Sequence, residues 1–139
     1  MVTDARSRDW LCTMGSMGGL IQTSVLAQVL LNMVELGLDP QRSLSRQRFL
    51  VGGAMRAHPD SPLVLEPGFP QEAQTTLRRR GHTLSVSHEN LRFHHAGHAN
   101  ILARATHWWS KEQANQQPNA NGSIWCGAEP RTNSVALGY

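Results

Sequence analysis

The residues of this 139-residue chain best suited to chemistry begin with a cluster of glycines, Gly15-Ser16-Met17-Gly18-Gly19. It stands between a short apolar run, Leu11 to Met14, and a long amphipathic stretch. Adjacent glycines where a strand hands over to a helix expose consecutive backbone N–H groups, with no side chain to obstruct an approaching anion. Such amides suit a bound anion or the oxyanion of a tetrahedral intermediate. A tight turn needing positive φ accounts for the same glycines. The cluster is not a P-loop, because no Gly-Lys-Ser/Thr follows, and it lacks the G-x-G-x-x-G spacing of dinucleotide sites. Nor does Ser16 occupy a G-x-S-x-G elbow, which argues against a serine hydrolase.

Three histidines, His94, His95 and His98, have spacing that invites a metal reading. On a helix, His94 and His98 would share a face, but Gly97 lies between them and no Glu supplies a general base. The stretch reads as a polar histidine cluster, and no metal or cofactor is expected. Glu129-Pro130-Arg131 reads as an ion-paired structural turn. Cys12 and Cys126 are too few for a disulfide scaffold and are either paired or free.

Lys and Arg total 13 against 10 Asp and Glu, a formal charge of +3. The basic run Arg78-Arg79-Arg80 has no second cluster or interleaved aromatics. It reads as a solvated helix end, not a nucleic-acid patch. Apolar residues at 40% and charged residues at 17% suffice for one core and exclude a highly charged disordered tail. The richest apolar stretch, Leu20 to Leu36, is interrupted by Gln22, Thr23, Ser24, Gln28 and Asn32, so no membrane span is expected. Asp4, Arg6, Arg8 and Asp9 do not fit a signal peptide, and nothing in the chain assigns a compartment.

The elements that must position the glycines follow from periodicity. Leu11 to Met14 reads as a strand and the glycine cluster as a flexible turn. Leu26, Val29, Leu30, Met33 and Val34 recur at helical spacing, with Gly37 as the terminating residue. Asp39 caps a second helix that starts at Pro40 and runs to about Phe49. Residues 52–62 read as a loop, 63–66 as a strand and 71–80 as a third helix ended by Gly81. Strands follow at 83–87, 99–109 and 123–127, with a polar hairpin loop at 113–122. This order predicts a layered α/β or α+β domain.

Taken in order, several short pieces make the chain resemble the C-terminal part of gamma-glutamyltransferase (gamma-glutamyltranspeptidase, or glutathione hydrolase). They are Gly15 to Gly19, Gln28 to Asn32, Gly37 to Gln41, Arg48-Phe49, Leu65 to Pro70, Leu77 to His82, Gly127 to Arg131 and the ending Ala136 to Tyr139. Gln47 stands where the family usually has proline, and Glu129 where aspartate is common.

The resemblance implies an α+β fold, part of the αββα sandwich of N-terminal-nucleophile hydrolases. It implies that residues 1–139 form the C-terminal portion of a small subunit whose nucleophilic threonine lies upstream; Thr3 is too close to the turn to be that residue. Gly18 and Gly19 would supply the oxyanion-hole amides, serving catalysis and substrate binding together. The implied activity is gamma-glutamyl transfer or hydrolysis. The implied partners are glutathione or another gamma-glutamyl substrate and the remaining large- and small-subunit segments. A cephalosporin or glutaryl acylase on the same fold, and a catalytically inactive structural or interaction module, are the alternatives.

Overall fold

The computed structural model describes residues 1–51, 62–86, 97–104 and 123–136. Strands β1 (Val2–Thr3), β2 (Trp10–Met17), β6 (His98–Arg104) and β7 (Ile124–Gly127) form an antiparallel sheet in the order β1-β2-β6-β7. Strands β3 (Phe49–Val51), β4 (Leu63–Leu65) and β5 (Leu84–Val86) form a second sheet. There β3 and β4 are antiparallel, while β4 and β5 are parallel. Helix α3 (Gln71–Arg79) makes the crossover that a parallel pair requires.

Helices α1 (Gln22–Val34) and α2 (Pro40–Ser45) cover one face of the four-stranded sheet. Val25, Val29 and Met33 form the buried stripe of α1, spaced four residues apart, and meet Cys12, Ala99, Ile101 and Ala103 from the sheet. The stripe is rotated from the expected one, so Val34 is exposed. Small residues on β6 let the helices approach closely. At Gly127 an added Cβ would lie 2.8 Å from Leu44 Cδ1 and 3.0 Å from the Pro40 carbonyl carbon, so glycine is what lets α2 rest on β7.

Among the described residues, the opposite face of this sheet is partly exposed. It presents Met17, Leu102 and Ile124, which are 59%, 48% and 58% exposed. Neighbouring residues along a strand point to opposite faces, and Cys12 pairs with Ala103 while Cys126 pairs with Leu102. The two cysteines therefore lie on opposite faces, and both are free thiols.

Several boundaries differ from the sequence expectation. Pairing with Asn100, Ala99 and His98 draws Gly15, Ser16 and Met17 into β2, so the turn shrinks to Gly18 and Gly19. Helix α2 ends at Ser45 instead of running to Phe49, because Arg46 takes an extended backbone and Phe49–Val51 pairs with β4. Strands β1 and β3 were not foreseen. The caps agree with expectation. Asp39 accepts the Arg42 N–H at 2.8 Å with Pro40 behind it, and Gly37 has φ +64°. The expected loops at 52–61 and 113–122, and the stretch 105–109, lie outside the described residues.

Candidate active site

Strand β2 delivers Gly18 and Gly19 to its C-terminal end, where the chain turns into a 3₁₀ turn (Gly19–Ile21) and then α1. Gly18 has φ +151° and Gly19 φ +60°, both in the region that favours glycine. The Gly18 carbonyl accepts the Ile21 N–H at 3.3 Å, which closes the turn. The first amides of a helix have no partner within the helix. A Cβ at Gly18 would lie 2.8 Å from Ile21 Cγ1 and 3.2 Å from the Gly97 Cα, so the turn sits directly on another backbone segment.

A second constellation lies behind it, and here sequence reading saw only fragments. Arg48, Glu66 and the Glu129–Arg131 turn come from three separate parts of the chain and form a charge-neutral cluster. Arg48 is 2% exposed and Glu129 is fully buried. Arg48 Nη2 donates to Glu129 Oε2 at 2.9 Å, and Arg131 Nη1 donates to Glu129 Oε1 at 2.9 Å. Arg131 also forms a two-pronged pair with Glu66. The Glu66 carboxylate further accepts the Arg48 backbone N–H at 2.7 Å.

The arginines also satisfy the carbonyls left without partners at the end of α2. Leu44 O accepts from both Arg48 and Arg131, and Arg46 O accepts from Arg131. Burial pushes the Arg48 guanidinium below its ordinary value, with Arg131 adding and Glu129 and Glu66 opposing. Burial alone would raise the Glu129 carboxyl, but Arg48, the Ala99 amide and Arg131 outweigh it and hold the group below the usual range. Desolvation of Arg131 is outweighed by Glu66 and Glu129, which raise it. The expected ion-paired turn at Glu129-Pro130-Arg131 is thus one corner of a larger buried network.

Amide side chains provide further fastening. Gln28 exchanges two hydrogen bonds with the Phe49 backbone, at 2.9 and 3.0 Å. Gln41 exchanges two with the Ala128 backbone, both at 3.0 Å. Asn32 donates to Ser43 O at 3.2 Å. The available signal for these roles was the placement of Gln28, Asn32 and Gln41 inside otherwise apolar or capping stretches.

Ser16 is half-buried in β2, and its hydroxyl donates to the Met17 carbonyl at 3.4 Å. His98 pairs with Met17 across the sheet, whereas His94 and His95 lie outside the described residues. Among the described residues no group of three His, Cys, Asp or Glu side chains is placed to hold a metal ion. Among the same residues no helix is long and apolar enough to cross a membrane.

Comparison with known proteins places this geometry in context. Over 126 residues the chain is 32% identical to the oxamate amidohydrolase proenzyme of Klebsiella pneumoniae, covering 90% of this chain and 20% of that protein. It thus spans about one fifth of the length of this curated relative. Among solved structures it resembles a gamma-glutamyltranspeptidase variant of Helicobacter pylori, with TM-score 0.67 and 18% identity over 94% of this chain and 59% of that one. It likewise resembles a cephalosporin acylase of Bacillus halodurans, with TM-score 0.69 and 25% identity over 96% of this chain and 21% of that one. These matches identify the helix-covered sheet as part of the N-terminal-nucleophile hydrolase sandwich. The family model of gamma-glutamyltranspeptidase matches residues 1–137, and the chain belongs to that enzyme family.

Proposed function

We propose that this chain is the C-terminal portion of a gamma-glutamyltransferase-like small subunit, and that Gly18 and Gly19 form the oxyanion hole of an acyl-transfer site. In this reading a threonine upstream of the turn attacks the gamma-glutamyl amide carbonyl. Its own amine takes the hydroxyl proton, and the carbonyl oxygen becomes an oxyanion. The glycine amides donate to that oxygen. Collapse of the tetrahedral species expels the amine and leaves an acyl-enzyme, which water or an amino acid then cleaves. Glutathione or another gamma-glutamyl compound is the proposed substrate, and the remaining enzyme segments are the proposed partners.

The observation that supports this most is the backbone of the turn. Two consecutive glycines with positive φ leave the end of β2 where a helix begins. A second reading is hydrolysis of a different amide by the same chemistry. It is favoured by the 32% identity to an oxamate amidohydrolase proenzyme.

Gly19→Val in the enzyme carrying this chain tests the proposal. The substitution forces a β-branched residue into positive φ beside the donor amides. Loss of one such donor costs about 10²–10³ in turnover, roughly 3–4 kcal/mol. Turnover of a gamma-glutamyl anilide per folded site is expected to collapse, beyond the modest fall in melting temperature that positive φ imposes on valine. Lower melting with unchanged turnover would make the glycine pair only a turn. In the unsubstituted enzyme, turnover of oxamate but not the anilide would favour the second reading, and turnover of neither would mark an inactive module.

A further inference from the structure

We infer that Gly97, clamped by the buried Arg48–Glu129 pair, is a positioning residue that holds the Gly18–Gly19 turn in its donor geometry; this rests on the oxyanion reading above. Strands β2 and β6 are antiparallel, and Met17 at the end of β2 pairs with His98 at the start of β6. The residue before β6 therefore lies against the residue after β2, and those residues are Gly97 and Gly18. A Cβ on Gly18 would be 3.2 Å from the Gly97 Cα. A Cβ on Gly97 would be 2.9 Å from Val25 Cγ2 and 3.1 Å from Met17 O. The two backbones are thus stacked with no space for a side chain on either, above the fully buried Val25 of α1. Gly97 itself has φ +64°.

One ion pair holds this segment at both ends. Arg48 Nη1 donates to the Gly97 carbonyl at 2.8 Å. Two residues on, the Ala99 N–H donates to Glu129 Oε2 at 2.8 Å, and the same oxygen accepts Arg48 Nη2 at 2.9 Å. Neither charged side chain needs to touch the turn, because Gly97 transmits their positions to it. A buried ion pair adds little net stability over a well-packed apolar substitute. Its planar, many-donor geometry does fix where a backbone carbonyl and amide stand. Fixed geometry is what an oxyanion hole requires, since its donors must be in place before charge develops.

The test is Gly97→Ala in the enzyme carrying this chain, with steady-state kinetics on a gamma-glutamyl anilide and a melting curve for the same sample. The expected result is a fall in kcat on the order of 10²-fold, the scale of a ~1 Å misplacement, with KM within a few fold. The double variant Gly97→Ala/Val25→Ala removes the nearest atom that the new methyl meets, Val25 Cγ2, and leaves the Met17 carbonyl oxygen at 3.1 Å. It is expected to regain about tenfold of the lost kcat while melting lower than the single variant, since V25A opens a cavity. A purely structural Gly97 gives the opposite pattern: kcat per folded site unchanged, and the double variant worse in every respect. That pattern would overturn the inference.

Should Gly97→Ala give no folded protein, Arg48→Lys carries the test by giving up the fixed fork that spans Gly97 and Glu129. A tenfold fall in kcat supports the inference and an unchanged kcat overturns it. Gly19→Val run alongside separates the two readings. If it abolishes turnover while Gly97→Ala does not, the positioning role alone fails. If Gly19→Val is harmless, the oxyanion reading fails and takes the positioning role with it.

Discussion

The glycine turn and the charge cluster are built from opposite materials. The turn consists of residues with no side chain, contiguous in sequence, at the end of a strand. The cluster consists of four long ionisable side chains drawn from positions 48, 66, 129 and 131. One offers unobstructed backbone, and the other fixes backbone in place. Where a site needs donors aimed at a developing charge, glycine makes the opening, but nothing in glycine holds its own conformation. The holding falls to Arg48 and Glu129, which bind Gly97 and Ala99 just behind the turn.

Breaking the cluster is the harshest test of this division. Arg48→Met leaves Glu129 without one of its two cations, in a fully buried position. Removing one partner of a buried pair costs about 3–5 kcal/mol. Urea unfolding of the variant is expected to show that loss as a lower midpoint. Arg48→Met/Glu129→Leu removes both charges and is expected to recover a substantial part of it. A double variant no more stable than the single one would mean that the charges act through more than their pairing.

The difference between the two regions also governs what sequence alone discloses. The turn was legible because its chemistry is local: a strand, two glycines and a helix in succession. The caps at Asp39 and Gly37 were legible for the same reason. Local reading failed where long-range pairing prevailed. Gly15 and Ser16 have turn propensity, yet β6 supplies partners that draw them into a strand. Phe49 continues an apolar pattern, yet its backbone is held by Gln28 and its strand pairs with β4. The cluster was seen only as unconnected family pieces, Arg48-Phe49, Glu66-Pro67 and Glu129-Pro130-Arg131. Nothing in the spacing of 18 or 81 residues indicates that two side chains meet.

Acid should distinguish the regions next, because the cluster titrates and the turn does not. Arg48, the Ala99 amide and Arg131 hold the Glu129 carboxyl below its ordinary value despite burial. A carboxyl with a depressed native value binds its proton more readily in the unfolded chain. Its contribution is therefore complete above the unfolded value of about 4.3, and is lost as pH falls from there through the native value. Melting temperature is expected to decline over that acidic window. Glu129→Gln should melt lower at neutral pH and decline less steeply in acid. An identical acid slope in both proteins would assign the titration to other carboxylates.

The smallest expected effect lies within the glycine cluster itself and sharpens the comparison most. Gly15 belongs to the same motif as Gly18, and sequence alone treats them alike. Their surroundings differ. A Cβ on Gly15 meets nothing within 4 Å, whereas one on Gly18 meets Ile21 at 2.8 Å. Gly15 also sits in regular strand pairing opposite Asn100 and lacks positive φ, while Gly18 has φ +151°. Alanine at Gly15 therefore encounters neither strain nor collision. It also reduces the freedom of the unfolded chain, which offsets any small loss. Gly15→Ala is expected to change the stability of this chain by no more than about 0.5 kcal/mol, the range of an ordinary surface substitution. Gly18→Ala, introduced the same way, must push aside the Ile21 side chain and adopt a φ that alanine resists, at a cost on the order of 1–3 kcal/mol. Chemical unfolding of the two variants measures both. Equal losses would show that the cluster acts as one unit. A loss confined to Gly18 would show that only the second half of the motif is held under constraint, where the backbone rests on Gly97.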